Sequence, residues 1–166
     1  MKKLVLAIAL LTSTGMTGFA QKFGHIDSNE LMLLMPERKT AEAQVQALTL
    51  ELQNTLEAMT TEYQGKVAEY QKSEATLSNS VKELKAREIG ELEQRIQAFQ
   101  VRAQEDLKAK ENELLSPMIE KARKSIEAVG RENGYTYIFD ISSGATVYEG
   151  GENVLPLVKK KMGLAD

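Results

Sequence analysis

The chain has 166 residues, no Cys, and 21 Lys and Arg against 24 Asp and Glu, a formal charge of −3. The lack of Cys excludes disulfide staples, so packing or assembly must hold the fold. The acidic balance offers no basic face for nucleic acid, which is not expected as a partner.

At the N-terminus, Lys2 and Lys3 precede the apolar run Leu4 to Leu11, and Gly18 and Ala20 occupy the −3 and −1 positions of a cleavage site. This pattern is a secretory signal peptide, cut after Ala20. The run is too short for the roughly 20 apolar residues that a membrane span needs. Removing Lys2 and Lys3 leaves 19 basic against 24 acidic residues, or −5. The mature chain is expected to be soluble, outside the cytoplasm.

"FGHID", Phe23 to Asp27, reads as a strand that runs into a short helix. From Pro36 to Asn133 the residues are mostly Glu, Gln, Lys, Ala and Leu, all good helix formers. Ala41, Val45, Leu48, Leu52, Leu56, Met59, Tyr63, Val67 and Tyr70 form one narrow stripe; from Val45 it repeats every 11 residues, about 3.67 per turn, which favours straight or slightly right-handed association. Leu92, Ile96, Phe99, Ala103, Leu107, Leu114, Met118, Ala122, Ile126 and Val129 form a second stripe. Between the two, Ser78 and Asn79 supply turn residues, and Ser80 with Glu83 reads as a capping box. Short helix connections place their neighbours antiparallel. Residues 36–133 therefore form a hairpin with its tip near 78–80, and the arm from Pro36 to Leu77 would reach about 60 Å at 1.5 Å per residue. One seam leaves little for a globular core, so the arm should project into solvent.

Ser116 before Pro117 suits an N-cap and a kink or break in the helix, and Asn133-Gly134 reads as a helix stop. "YTYIFDI", Tyr135 to Ile141, and "ATVYE", Ala145 to Glu149, are the remaining strands, joined by a turn at Ser142, Ser143 and Gly144. "NVLPLVKKKMGL" reads as a last short helix with Asn153 as N-cap; Lys159 to Lys161 suit its C-terminal dipole and make contact with a membrane surface an alternative role.

Residues 21–35 and 134–166 hold five of the eight aromatics that follow the leader, which marks a hydrophobic body. Three short strands and two short helices fall below the size at which one chain usually folds unaided, and free strand edges invite pairing. The fold class is therefore α+β, mainly α: a long antiparallel helical hairpin inserted in a small β body that completes its sheet with sister chains. Phe23, Ile26, Tyr135, Tyr137, Ile138, Phe139, Ile141 and Val147 are the candidate oligomerisation residues.

The signal peptide, the "KFGHIDSNELMLLMPE" opening, the Glu/Gln/Lys-rich hairpin and the "NGYTYIFDISSGATVYEGGENV" return together resemble the Skp/OmpH family of periplasmic chaperones, over essentially the whole mature chain. The resemblance implies a homotrimer with a shared β-barrel body and three hairpins around a cavity. It also implies ATP-independent holding of unfolded outer-membrane β-barrel proteins. Members of that family are often basic; this mature chain is not, and no lipid-binding residues are carried over.

No "GxxxxGK[ST]", "GxSxG" or "HExxH" occurs. The single histidine, His25, lies in a strand with no second ligand in view, and hairpin carboxylates alternate with Lys and Arg as on a solvated face. Neither an enzyme nor a metal or cofactor site is expected. Candidate client contacts are the apolar or soft residues of the distal arm, Met59, Tyr63, Val67, Tyr70, Leu77, Val81, Leu84 and Ile89; Met and Tyr suit adaptable surfaces. The competing explanation is that they close the seam between the helices. Gly65 and Gly90 lie at nearly one level, and each costs a helix interior about 1 kcal/mol relative to Ala, so they form a candidate hinge. A structural or adaptor coiled-coil protein of the envelope is the alternative function, although "SEATLSNSVKE" at the tip shows no docking motif.

Overall fold

The structure is a computed structural model and describes residues 21–164; the leader and its cleavage site lie outside these residues. The chain divides into a helical unit, residues 32–122, and a β unit that joins residues 21–31 to 123–164.

In the β unit, β1 (Phe23–Ile26) is the central strand, with β2 (Tyr137–Asp140) on one side and β3 (Glu152–Asn153) on the other, both parallel to it. Alternation along β1 sends Phe23 and His25 to one face and Gly24 and Ile26 to the other. Ile26 is buried with Leu31, Val129, Val154, Leu155 and Val158, a small apolar core. Gly24 has no room for a side chain: an added Cβ would lie 2.8 Å from Val154 Cγ1 and 3.1 Å from Tyr135 Cε1.

Each helix boundary in this unit has a local cause. Asp27 Oδ1 accepts the N–H groups of Asn29 (2.9 Å) and Glu30 (3.1 Å) and so starts α1 (Ser28–Leu34). At α4 (Leu155–Met162) the N-cap is Val154, not the expected Asn153; Asn153, one residue earlier, accepts the Leu155 N–H on its Oδ1 at 2.9 Å. Gly163, at φ +69°, ends α4, with the Leu164 N–H donating to the Lys159 carbonyl at 3.0 Å. Gly134, at φ +68°, ends the long helix in the same way, with the Tyr135 N–H donating to the Gly130 carbonyl at 3.0 Å.

Two expectations for this unit are corrected. Ala145 to Glu149 is not a strand; β3 lies further on, at Glu152–Asn153, and it pairs with β1 rather than in a hairpin with β2. The turn at Ser142 to Gly144 does form, with the Gly144 N–H donating to the Ile141 carbonyl at 3.1 Å, but the chain then runs on past β1. Gly151 permits that passage, since a Cβ there would lie 3.0 Å from the Phe23 carbonyl oxygen. Val147 and Tyr148 are left in solvent.

In the helical unit, α2 (Glu37–Ser73) is followed by a 3₁₀ turn (Glu74–Thr76) and by α3 (Asn79–Glu132), whose last ten residues belong to the β unit. Leu77 is extended at the tip, and the Ser78 carbonyl accepts the N–H groups of Val81 (3.1 Å) and Lys82 (3.0 Å). The helix thus begins at Asn79, one residue before the expected Ser80–Glu83 capping box, with Ser80 already inside it. Nor is there a break at Pro117: α3 runs through it. Ser116 Oγ donates to the Asn112 carbonyl at 2.6 Å, and buried Met118 and Ala122 hold the next turns on the seam, which outweighs the missing proline N–H.

Candidate functional site

The two predicted stripes form the seam of the hairpin. Along α2, Val45, Leu48, Leu52, Leu56, Met59, Tyr63, Val67 and Tyr70 are half-buried, as are Ile96, Phe99, Ala103, Leu107 and Leu114 along α3. The seam is thin. Among the described residues from 42 to 117, Leu92 alone is buried.

Toward the tip, the seam changes chemistry. Counting back from Leu92 in steps of three and four, the positions that face α2 are Ile89, Lys85 and Lys82, all half-buried. Val81 and Leu84 each precede a lysine by one residue, about 100° around the helix, and stand exposed at 37 % and 54 %. Of the eight candidate contact residues, Met59, Tyr63, Val67, Tyr70, Leu77 and Ile89 lie half-buried along the hairpin, and only Val81 and Leu84 face solvent. Partial burial, then the nearby Glu74 carboxylate, pushes the Tyr70 phenol above its ordinary pKa.

Lys85 and Glu69 meet across the arms at 2.8 Å, and Lys66 and Glu88 at 3.5 Å. These pairs fix the antiparallel register and bring Gly65 and Gly90 to within about one residue of direct opposition. The hydrogen bond between Lys85 and Glu69 raises the lysine pKa and lowers that of the carboxylate. At the other end of the unit, Glu37 pairs with Lys121, which holds the Glu37 carboxyl below its ordinary range. A Cβ added at Gly65 or at Gly90 would meet nothing within 4 Å, so neither glycine is there to let the helices approach closely.

The β unit offers a second surface. Phe23, Tyr137 and Phe139 share the sheet face opposite the core, with ring centroids 6.1 to 6.3 Å apart and exposures of 41 %, 59 % and 49 %. Beside them a cleft of about 580 Å³ is bounded by Phe139, His25, Thr146, Tyr148 and Glu152. His25 Nδ1 is buried there and makes no hydrogen bond within the described residues. Of the other candidate oligomerisation residues, Val147 is exposed but lies outside any strand, Ile138 is half-buried with its Cδ1 3.3 Å from where a Gly130 Cβ would be, and Tyr135 and Ile141 are half-buried. Ile26 is wholly inside the chain's own core, because its strand is central and its face is covered by helices; it is unable to contact a partner.

The sequence reading missed two clusters. Lys22 Nζ lies 3.9 Å above the Tyr135 ring and 3.1 Å from Glu152 Oε2, which ties the start of β1 to both later segments; Glu152 holds the lysine above its ordinary pKa. Asp140 Oδ1 accepts the N–H groups of Ser142 (3.0 Å) and Ser28 (3.2 Å), and although burial pushes its carboxyl up, the hydrogen bonds from Ser28 and Ser142 outweigh burial and bring it below the ordinary value. Each joins residues more than a hundred positions apart, Lys22 to Tyr135 and Glu152 in one and Ser28 to Asp140 in the other, and no local pattern announces them. Among the described residues no helix is long and apolar enough to cross a membrane, and no three potential metal ligands cluster.

The profile of the family described as outer membrane protein (OmpH-like) matches residues 22–162. No curated protein sequence matches significantly. Among solved structures, an OmpH-like protein from Caulobacter crescentus CB15, described as an outer membrane chaperone, superposes with a TM-score of 0.70 at 13 % identity, over 84 % of this chain and 82 % of that one. At that identity the likeness concerns the fold: long helices attached to a small sheet. Because the family profile spans nearly the whole of the described chain, from the first strand to the end of the last helix, this protein belongs to the OmpH-like family.

Proposed function

We propose that this protein is an ATP-independent periplasmic holdase that binds unfolded outer-membrane β-barrel proteins between helical arms and keeps them from aggregating. The observation that carries this reading is the thin seam: from 42 to 117 only Leu92 is withdrawn from water, so apolar and aromatic groups remain at the surface along most of the hairpin. Unfolded barrel strands alternate apolar and polar residues. Each apolar group is a weak site, and many weak contacts along a long arm cover such a chain without fixing its geometry. Release needs no nucleotide, because folding of the client buries the same groups.

The working unit is a homotrimer built through the β unit. The exposed rings of Phe23, Tyr137 and Phe139, the unpaired outer edges of β2 and β3, and the solvent-facing β-forming segment Ala145 to Glu149 support assembly through this face. Gly65 and Gly90 serve as a hinge that lets arms spread for larger clients. Export follows from the leader, with cleavage after Ala20.

The test is to dilute an unfolded barrel protein from urea with and without the mature chain, at trimer stoichiometry and without ATP. A holdase keeps the client soluble; an adaptor leaves its aggregation unchanged and sinks the reading. Photo-crosslinkers at Tyr63 and Tyr70 should give client adducts, and adducts found only elsewhere would remove the distal arm from the site. Mass in solution should show a trimer for wild type and smaller species for Phe139→Ser.

A further inference from the structure

The arms are not joined the same way along their length. Below Gly65 and Gly90 the facing positions are apolar, and Leu92 is buried. Above that level α3 presents Lys85 and Lys82 to α2, and the seam is crossed by the Lys85–Glu69 pair at 2.8 Å and the Lys66–Glu88 pair at 3.5 Å. Val81 and Leu84, which would have made an apolar zipper here, are turned outward.

We infer that residues 63–92 form an ionic clasp: the two cross-arm pairs hold the distal hairpin closed, and separating them presents Tyr63, Val67, Tyr70 and Ile89 to an apolar segment of an unfolded chain. The client-access half of this inference rests on the holdase reading; the clasp does not. The physical reason is a contrast in driving force. Apolar contact does not weaken as salt is added, whereas attraction between exposed charges is screened over about 10 Å at 0.1 M and about 3 Å at 1 M. Ion pairs at this exposure contribute little each, so the tip is closed weakly enough to open and specifically enough to return to one register. The glycines mark where opening stops being ionic. Below them, separation would expose Leu92.

The chain has no Cys, so Gln71→Cys with Glu83→Cys gives two unique labelling sites at exposed positions, which the register of the cross-arm pairs puts at one level near the tip. Labelled mature chains, diluted with unlabelled ones, report the distance across one hairpin by electron spin resonance. We expect a single short distance at 20 mM salt and a longer component whose population rises about twofold to tenfold at 1 M. K66E with K85E, which places four carboxylates together, should show the long component at low salt, and adding E69K with E88K should restore closure. One unchanged distribution across both salts and all three proteins would overturn the clasp. Joining the two introduced thiols with a short bis-maleimide tests the second half. Linked protein should lose most of its suppression of client aggregation relative to the unlinked double variant. Equal suppression would overturn client access through the seam and leave the holdase reading standing, whereas failure of the unlinked chain would defeat that reading while the distances still decide the clasp.

Discussion

Replacing Gly65 and Gly90 by Ala isolates the hinge from every other property of the arm. Each glycine lies inside a long helix, and a Cβ at either position meets nothing within 4 Å, so the added methyl groups neither clash nor gain a packing partner. What remains is backbone entropy, about 1 kcal/mol in favour of Ala at each site. Because the cross-arm pairs Lys66–Glu88 and Lys85–Glu69 place the two sites at one level, the changes act on the same local opening and together approach about 2 kcal/mol, near a thirtyfold change in its equilibrium. Hydrogen exchange on the mature protein reads this directly: amides in residues 62–68 and 87–93 should slow by roughly tenfold or more, while those of β1 and β2 keep their wild-type rates. Small-angle scattering should show a narrower spread of arms, and suppression should fail first for the largest clients. Unchanged exchange in both windows would refute the claim that these glycines soften the arm. Slowed exchange with unchanged arm spread and client range would leave them soft but without the proposed role.

Gly24→Ala drives a Cβ toward Val154 Cγ1 at 2.8 Å and Tyr135 Cε1 at 3.1 Å, and should cost about 1–3 kcal/mol in urea unfolding; a loss below about 0.5 kcal/mol would contradict the packing described for β1. Leu92→Ala removes the one buried side chain between residues 42 and 117 and should destabilise the hairpin by about 2 kcal/mol, seen as faster amide exchange in residues 56–70 with the β unit unaffected. Acid should loosen the base of the hairpin. Glu37, paired with Lys121, has a folded pKa below its ordinary 4.5, so its contribution is complete above that value and is lost as pH falls through the folded pKa. Thermal unfolding followed from pH 7 to pH 3 should therefore show a decline confined to the acid side of about 4.5 that Glu37→Gln reduces; an equal decline in the variant would remove this pair from the cause.

Much of this molecule is determined locally and is legible in its letters. A 3.67-residue repeat of apolar groups dictates two long helices, and a polar turn between them dictates a hairpin. Asn133-Gly134 stops a helix because a left-handed residue is needed there and glycine adopts it without strain. Asn153 reads as the N-cap of the last helix, yet the cap is Val154, and Asn153 accepts the orphan Leu155 N–H from one residue earlier. Where a stretch had two local solutions, tertiary contacts chose. Pro117 reads as a break, yet burial of Met118 and Ala122 on the seam keeps the helix running. Val81 and Leu84 read as client contacts or, in competition, as seam residues; they stand exposed, and Lys82 and Lys85 take the half-buried positions of the seam.

"ATVYE" has strand propensity and no strand, because propensity confers nothing without pairing: the chain runs past β1 and sets Glu152–Asn153 beside it instead, leaving the outer edge of β2 unpaired. Those pairings join segments more than a hundred residues apart, and the signals behind them are two glycines: Gly24, where Val154 and Tyr135 leave no room for a Cβ, and Gly151, where the chain passes the Phe23 carbonyl. A glycine in a sequence states that a side chain is missing. Which distant atom fills its place is decided only when the chain has folded.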